Sequence, residues 1–384
     1  MKFRKLFISL ATFSLLLVTV LALTMFFAAN HRTLAAGNPA SATDNTNPII
    51  ADATPSLKSS PKSSPFVPKN YHFQHKSQPQ QQGKKAPSDL ATWTSSFDYN
   101  GTTYPYTMVG TDPKLGSATT TIPVKIVPLK VVIGSNVFDG SNNVHAVINS
   151  PLFSNTSFAT GDTQYTDAIQ RGSFWNTIQQ SSPDYHVLLG KPKVEKEVTI
   201  NVDASHGGLL IFSNSYYGNI GDINWWDGMM QQLLQTEQAS PNELTIFLSY
   251  DVLIQGGVGG YHSTTGQGVS GDTTYAWSSY FDPYLFSGFS DVAALSHELS
   301  EWMSDPYTNN TVPTWSVPNE PQYGCSPVLE DGDPLVGTIF KENGYTLQDE
   351  AFFSWFARQS PSIGYQGNYS YLDTFKSYSS SDGC

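Results

Sequence analysis

Basic side chains are scarce where most of the chain lies. Ten of the 20 Lys and Arg, but only two of the 32 Asp and Glu, fall in residues 1–88. Residues 89–384 therefore hold 10 basic against 30 acidic side chains, a formal charge near −20. Such a segment has no basic face for phosphate contacts, which excludes a nucleic-acid binder. Its acidity suits solubility and draws cations without naming a substrate. Cysteine is nearly absent too. Cys325 and Cys384 permit one bridge and no disulfide framework. In an oxidising compartment that bridge would contribute roughly 4 kcal/mol by loop closure and tie down the C-terminus; two free thiols are the alternative. No repeat of fixed period runs along the chain.

Charge is wholly missing from Leu6 to Ala29, an apolar run behind Lys2, Arg4 and Lys5. That is the pattern of an export signal. It is also long enough to cross a bilayer, which takes about 20 apolar residues. A cleaved signal would end near Thr33-Leu34-Ala35-Ala36. An uncleaved anchor would keep the basic residues inside, and His31 and Arg32 after the run lean that way. Residues 1–36 are thus read as signal peptide or membrane anchor. Both place the remainder outside the cytoplasm, secreted or tethered to the outer face of the membrane, with no other membrane contact. Residues 37–88 are Ser, Pro, Asn, Gln and Lys, with Gln78 to Gln82 at the extreme. They bury too little apolar surface to offset ordering entropy and read as a disordered spacer. Residues 89–384 form one globular domain, expected to be monomeric.

Within it, strand and helix patterns interleave, which gives an α+β (mixed α/β) expectation: a sheet packed with helices. Thr119 to Ile133 reads as strand broken at Pro123 and Pro128. Glu197 to Val202 and Leu209 to Phe212 read as short strands. Glu243 to Leu253 is near-continuously apolar, hence central. Gly161 to Gln180, Ile223 to Glu237, Ser290 to Ser304 and Asp349 to Phe356 read as helices. Tyr216-Tyr217 and Trp225-Trp226 could stack on sugars, though such aromatics more often sit in a core.

The helix over 290–304 carries the chemistry. Ser290-Asp291 would cap its start and Pro306 ends it. Val292, Leu295, Leu299 and Trp302 share one face; His297, Glu298, Glu301 and Asp305 share roughly the opposite one. His297 and Glu301 stand one turn apart, so both can ligate one ion, with Glu298 beside that ion's water. In the H-E-x-x-H zinc helix the second ligand is His and the Glu is a general base. Here Glu301 takes the second place, a legitimate but less usual ligand. A solvated polar face would look the same. Two further segments add candidates: the acidic turn Glu330-Asp331-Gly332-Asp333-Pro334, and the Gly-rich strand end Gly256 to Ser263, which presents His262. His72 and His75 lie in the spacer. His145, His186 and His206 are isolated.

Tyr261-His262-Ser263, Thr274-Tyr275-Ala276, Ser296-His297-Glu298-Leu299-Ser300-Glu301 with Ser304-Asp305-Pro306, and Glu330 to Leu335 resemble, in order and spacing, the bacterial relatives of the plant EXORDIUM (phosphate-induced) family. The resemblance covers about 90–384 and is best over 250–360. It implies export and positions matching His297, Glu298, Glu301, Asp305, Glu330 and Asp333, with His262 a further candidate. Asp331 departs from the family's apolar residue there, which leaves the choice of ligand open.

These readings converge on a zinc-dependent hydrolase of the peptidase type acting on a peptide or cell-wall-associated substrate. His297, Glu301 and Glu330 would hold Zn²⁺, Glu298 would act as base, and His262 or a nearby Tyr would stabilise an oxyanion. The carboxylate ligands would make the ion's water less acidic than in a three-His site. One alternative is a non-enzymatic extracellular or cell-wall binding protein with a structural ion, Ca²⁺ included, since oxygen-rich sets favour hard cations. Another is a hydrogen-bonded polar network with no ion.

Overall fold

Val124–Ile133 (VKIVPLKVVI) is the longest strand and the one the rest is arranged around. The computed structural model describes residues 89–212, 215–283, 288–317 and 325–378. The expectations for 1–36 and 37–88 lie outside them, as does Cys384; no described cysteine is free. No helix among the described residues is long and apolar enough to cross a membrane.

The elements that position the site are numbered in chain order: β1 (Thr92–Tyr99), β2 (Thr102–Val109), β3 (Val124–Ile133), α1 (Tyr165–Ser173), β4 (Val198–Val202), α2 (Ile223–Thr236), β5 (Leu244–Tyr250), β6 (Gly260–Thr264), β7 (Thr274–Tyr280), α3 (Ala293–Ser304), β8 (Ile339–Glu342) and β9 (Tyr345–Gln348). The central sheet runs β4-β3-β5-β7-β6. The first four strands are parallel and β6 is antiparallel to β7. This is a mixed α+β fold.

The parallel strands are apolar on both faces because helices cover both. Leu244, Ile246 and Leu248 of β5 join Leu295, Leu299 and Trp302 of α3 and Ala168 and Ile169 of α1. Phe247, Tyr275 and Trp277 face the other way, to Trp226, Met230 and Leu233 of α2. Alternation along β6 follows the same rule: Tyr261 joins the α2 side, so His262 is sent to the α3 side.

Pro123 does break the strand pattern, but Pro128 lies inside β3. Pairing with β5 ends at Pro128 and pairing with β4 starts at Leu129, so the missing N–H falls where the neighbours change over. The helix expected over 161–180 is instead a short strand (Gly161–Thr163) and two helices, α1 and Trp175–Ser181, parted at Phe174. Of 349–356 only Phe353–Phe356 is helical. Trp226 and Tyr217 are core residues, and Trp225 stacks on His206.

Candidate metal centre

Helix α3 starts at Ala293 with Val292 as its cap residue. Asp291 does not cap it. In a left-handed backbone conformation (φ 47°), its carboxylate accepts from Val292 N–H, Thr346 N–H and Thr346 Oγ1 instead. It thus pins β9 to the entry of the helix. The helix ends at Asp305, ahead of Pro306. The Asp305 carboxylate accepts from the backbone N–H groups of Asn309 (3.0 Å) and Asn310 (2.9 Å). Asp305 is therefore a turn-former, and its carbonyl, not its carboxylate, meets the site.

The polar face of α3 is not solvated. His297, Glu298, Ser300 and Glu301 are all buried, like the apolar face behind them. The cover is the segment 330–350. A stripe of serines fastens it: Ser300 and Ser304 donate to Asp331 Oδ2 (3.0 and 2.7 Å), and Ser296 Oγ accepts from Gln348 N–H (3.1 Å). Two glycines let the walls come this close. A Cβ on Gly332 would lie 2.5 Å from His297 Nδ1, and one on Gly260 would lie 2.7 Å from Glu298 Cγ.

Among the described residues two groups that could hold a metal ion result: His297, Glu301 and Asp333, and His262, Glu298 and Glu301. In the first, His297 Nε2 is 3.1 Å from Glu301 Oε1 and 3.6 Å from Asp333 Oδ1. In the second, His262 Nδ1 is 3.7 Å from Glu298 Oε2 and 3.6 Å from Glu301 Oε2. Ligands about 2.0–2.2 Å from a tetrahedral ion stand about 3.3–3.6 Å apart, whereas a direct N–H···O bond spans about 2.7–3.2 Å. Three of the four separations are too long for a hydrogen bond and near the spacing of two ligands across an ion.

Sequence reasoning placed Glu330 beside His297 and Glu301. The structure puts Asp333 there and Glu330 at the other histidine, 3.8 Å from His262 Nε2. The 330–333 turn decides this, through Gly332 tucked against the His297 ring. His262 was expected to stabilise an oxyanion. Its Nε2 lies 3.1 Å from the Asp305 carbonyl, which can only accept, and its Nδ1 faces Glu298 and Glu301. Neither nitrogen is spare for an oxyanion. The bond to Asp305 leaves Nδ1 free to carry a lone pair, the usual way a backbone carbonyl sets a ligating histidine.

Gln348, Glu350 and Tyr165 belong to the site and were not found from sequence. The Gln348 side-chain amide donates to Gly332 O (2.9 Å) and lies 2.8 Å from His297 Nδ1. Tyr165 donates to Glu350 Oε1 (2.7 Å). No motif marks these residues.

The electrostatics are lopsided. Among the described residues, the only ion-pair partners of Glu298, Glu301, Glu330 and Asp333 are the two histidines. Burial drives Glu330 and Asp333 well above the usual carboxyl range, and the Glu301 charge adds to it. Burial also raises Glu350, reinforced by Asp331, and pushes Asp331 itself to about 7. Burial opposes the charge of His262 and His297, yet Glu330 for the first and Glu301 for the second hold both well above the ordinary imidazole value. Glu301 is the exception among the acids: burial would raise it, but the two histidines hold it at about 2. Glu301 Oε1, Glu330 Oε2, Asp331 Oδ1 and Glu350 Oε2 are buried without a hydrogen-bond partner. Unpaired buried carboxylate oxygens are costly, and a cation relieves the cost. The donor set fits a divalent ion.

The chain matches no known family, no curated protein and no solved structure.

Proposed function

We propose that this protein is an exported, zinc-dependent hydrolase of the peptidase type. The observation that carries the reading is the convergence of His297 Nε2, Glu301 Oε1 and Asp333 Oδ1 on one buried point, with Glu298 on the adjacent turn of the same helix. These three would hold the ion. An imidazole in the set argues for zinc over calcium, which takes oxygen ligands alone. A bound zinc ion supplies Lewis acidity to a water and to the substrate carbonyl. Glu298 supplies the proton traffic: it takes the proton of the attacking water and returns it to the leaving amine nitrogen. Burial raises the Glu298 carboxyl above its usual range, toward the value a base needs near neutrality. The side chains of His297, Asp333 and Glu330 are the least enclosed of the set, at 10, 11 and 13 % exposure. A peptide or cell-wall-associated substrate would approach from their side. The four-motif resemblance to the EXORDIUM relatives runs through the same residues.

Depth of enclosure favours a second reading, a structural ion in a binding protein, because structural zinc sites are closed. Metal analysis and Glu298→Gln separate the two. The proposal expects zinc to co-purify or reconstitute, and expects the variant to keep the ion held by His297 and Glu301 while peptide hydrolysis falls at least about 100-fold. Failure to bind metal sinks both readings. Bound metal with hydrolysis unaffected by the substitution, or absent from the wild type, leaves the structural ion.

A further inference from the structure

We propose that the cluster holds two divalent cations, with Glu301 as the carboxylate that bridges them. This rests on the metal-binding half of the function proposed above and extends it. The two ligand groups share one residue, and they use different atoms of it: Oε1 faces His297 and Oε2 faces His262. Among the described residues no single group takes both histidines. An ion held by either group takes one imidazole, whereas two ions take both, and a carboxylate with one oxygen on each ion spans the separation of about 3.5–4 Å usual in two-metal sites.

The second position is built as completely as the first. His262 Nε2 donates to the Asp305 carbonyl, which directs Nδ1 and its lone pair at Glu298 and Glu301. Glu298 is held close by the missing side chain of Gly260. Glu301 is only 4 % exposed, and its Oε1, 3.1 Å from His297 Nε2, is buried without a formed hydrogen bond. A donor set of one imidazole and two carboxylates suits Zn²⁺ or Mn²⁺. With the second position filled, Glu298 is a ligand and holds no proton. The base role assigned to it belongs to the state in which only the first position is occupied.

The test is stoichiometry and coupling. Full-length protein is stripped with a chelator and dialysed against Zn²⁺, and metal per chain is measured by mass spectrometry. Two ions per chain are expected, falling to one in His262→Gln. In parallel the stripped wild type is loaded with Mn²⁺ and its EPR spectrum recorded. A carboxylate-bridged pair gives an exchange-coupled signal even if the variant fails to fold. One ion per chain, two ions with an uncoupled Mn²⁺ signal, or a folded His262→Gln that keeps both ions overturns the proposal and leaves the single-ion hydrolase standing. No bound metal overturns both.

Discussion

Asp251 shows how one side chain can tie stability to pH. It follows the central strand β5 in a left-handed backbone position (φ 49°), buried, with Oδ1 accepting from Asp282 N–H (2.9 Å). Burial, reinforced by the Asp282 charge, pushes its carboxyl from the ordinary 3.8 up to about 7. The folded chain thus holds this proton more tightly than the unfolded chain. The contribution is complete below about pH 4 and is lost as pH rises from there to about 7, at up to about 1.4 kcal/mol per pH unit, with no further loss above it. Asp251→Asn cannot ionise, keeps an acceptor for Asp282 N–H, and suits the positive φ. Melting curves should show the wild type losing stability between about pH 4 and 7 more steeply than the variant; parallel curves would remove Asp251 from the account. Nothing around Asp251 in the sequence announces this, because a raised pKa depends on what packs over the group. The same limit governed the candidate metal centre. His297, Glu298 and Glu301 were legible because a helix fixes neighbours one turn apart. Asp333 in place of Glu330 was not, because the turn that chooses between them is set by Gly332 against His297.

At the scale of elements, short polar residues do the fastening. Asn310 is buried just past α3. Its Oδ1 accepts from Thr107 N–H (2.8 Å), and its Nδ2 donates to Thr107 O (2.7 Å) and Ser304 O (2.8 Å). It therefore acts as a rung between the end of α3 and the edge of β2. Asn310→Ala removes three hydrogen bonds and leaves buried backbone groups unpaired, so destabilisation of about 2–4 kcal/mol is expected in denaturant titration. A loss below about 0.5 kcal/mol would show that the rung is replaceable. The strands and the 223–237 helix were readable because apolar periodicity is local. The burial of both faces of α3 was not, since a face of His and Glu has the pattern of a solvated one. The signal lay in Ser296, Ser300 and Ser304, spaced by four along a second stripe that takes up segment 330–350.

For the whole molecule the sign of the charge matters most. The domain's acidity was plain from composition, but its concentration inside the fold was not. A cation bound at the candidate centre would relieve repulsion among buried carboxylates and so link ion to fold, and a ligand at 100 times its Kd adds about 2.7 kcal/mol. Chelation should lower the melting temperature by several degrees, and stoichiometric Zn²⁺ should restore it where Ca²⁺ does not. Equal rescue by Ca²⁺ would point to a hard-cation site, and an unchanged melting temperature would mean that protons alone balance the cluster.

The closure of segment 330–350 over α3 also governs the order of events. His262, His297, Glu298 and Glu301 are nearly sealed once Asp331 is fastened to Ser300 and Ser304. Entry and escape of an ion held there would then wait on local opening of that cover. Occupancy becomes a matter of history as much as of affinity. A chain that closed in the presence of metal would retain it through long dilution, and one that closed without it would load slowly, at the rate at which the serines let go.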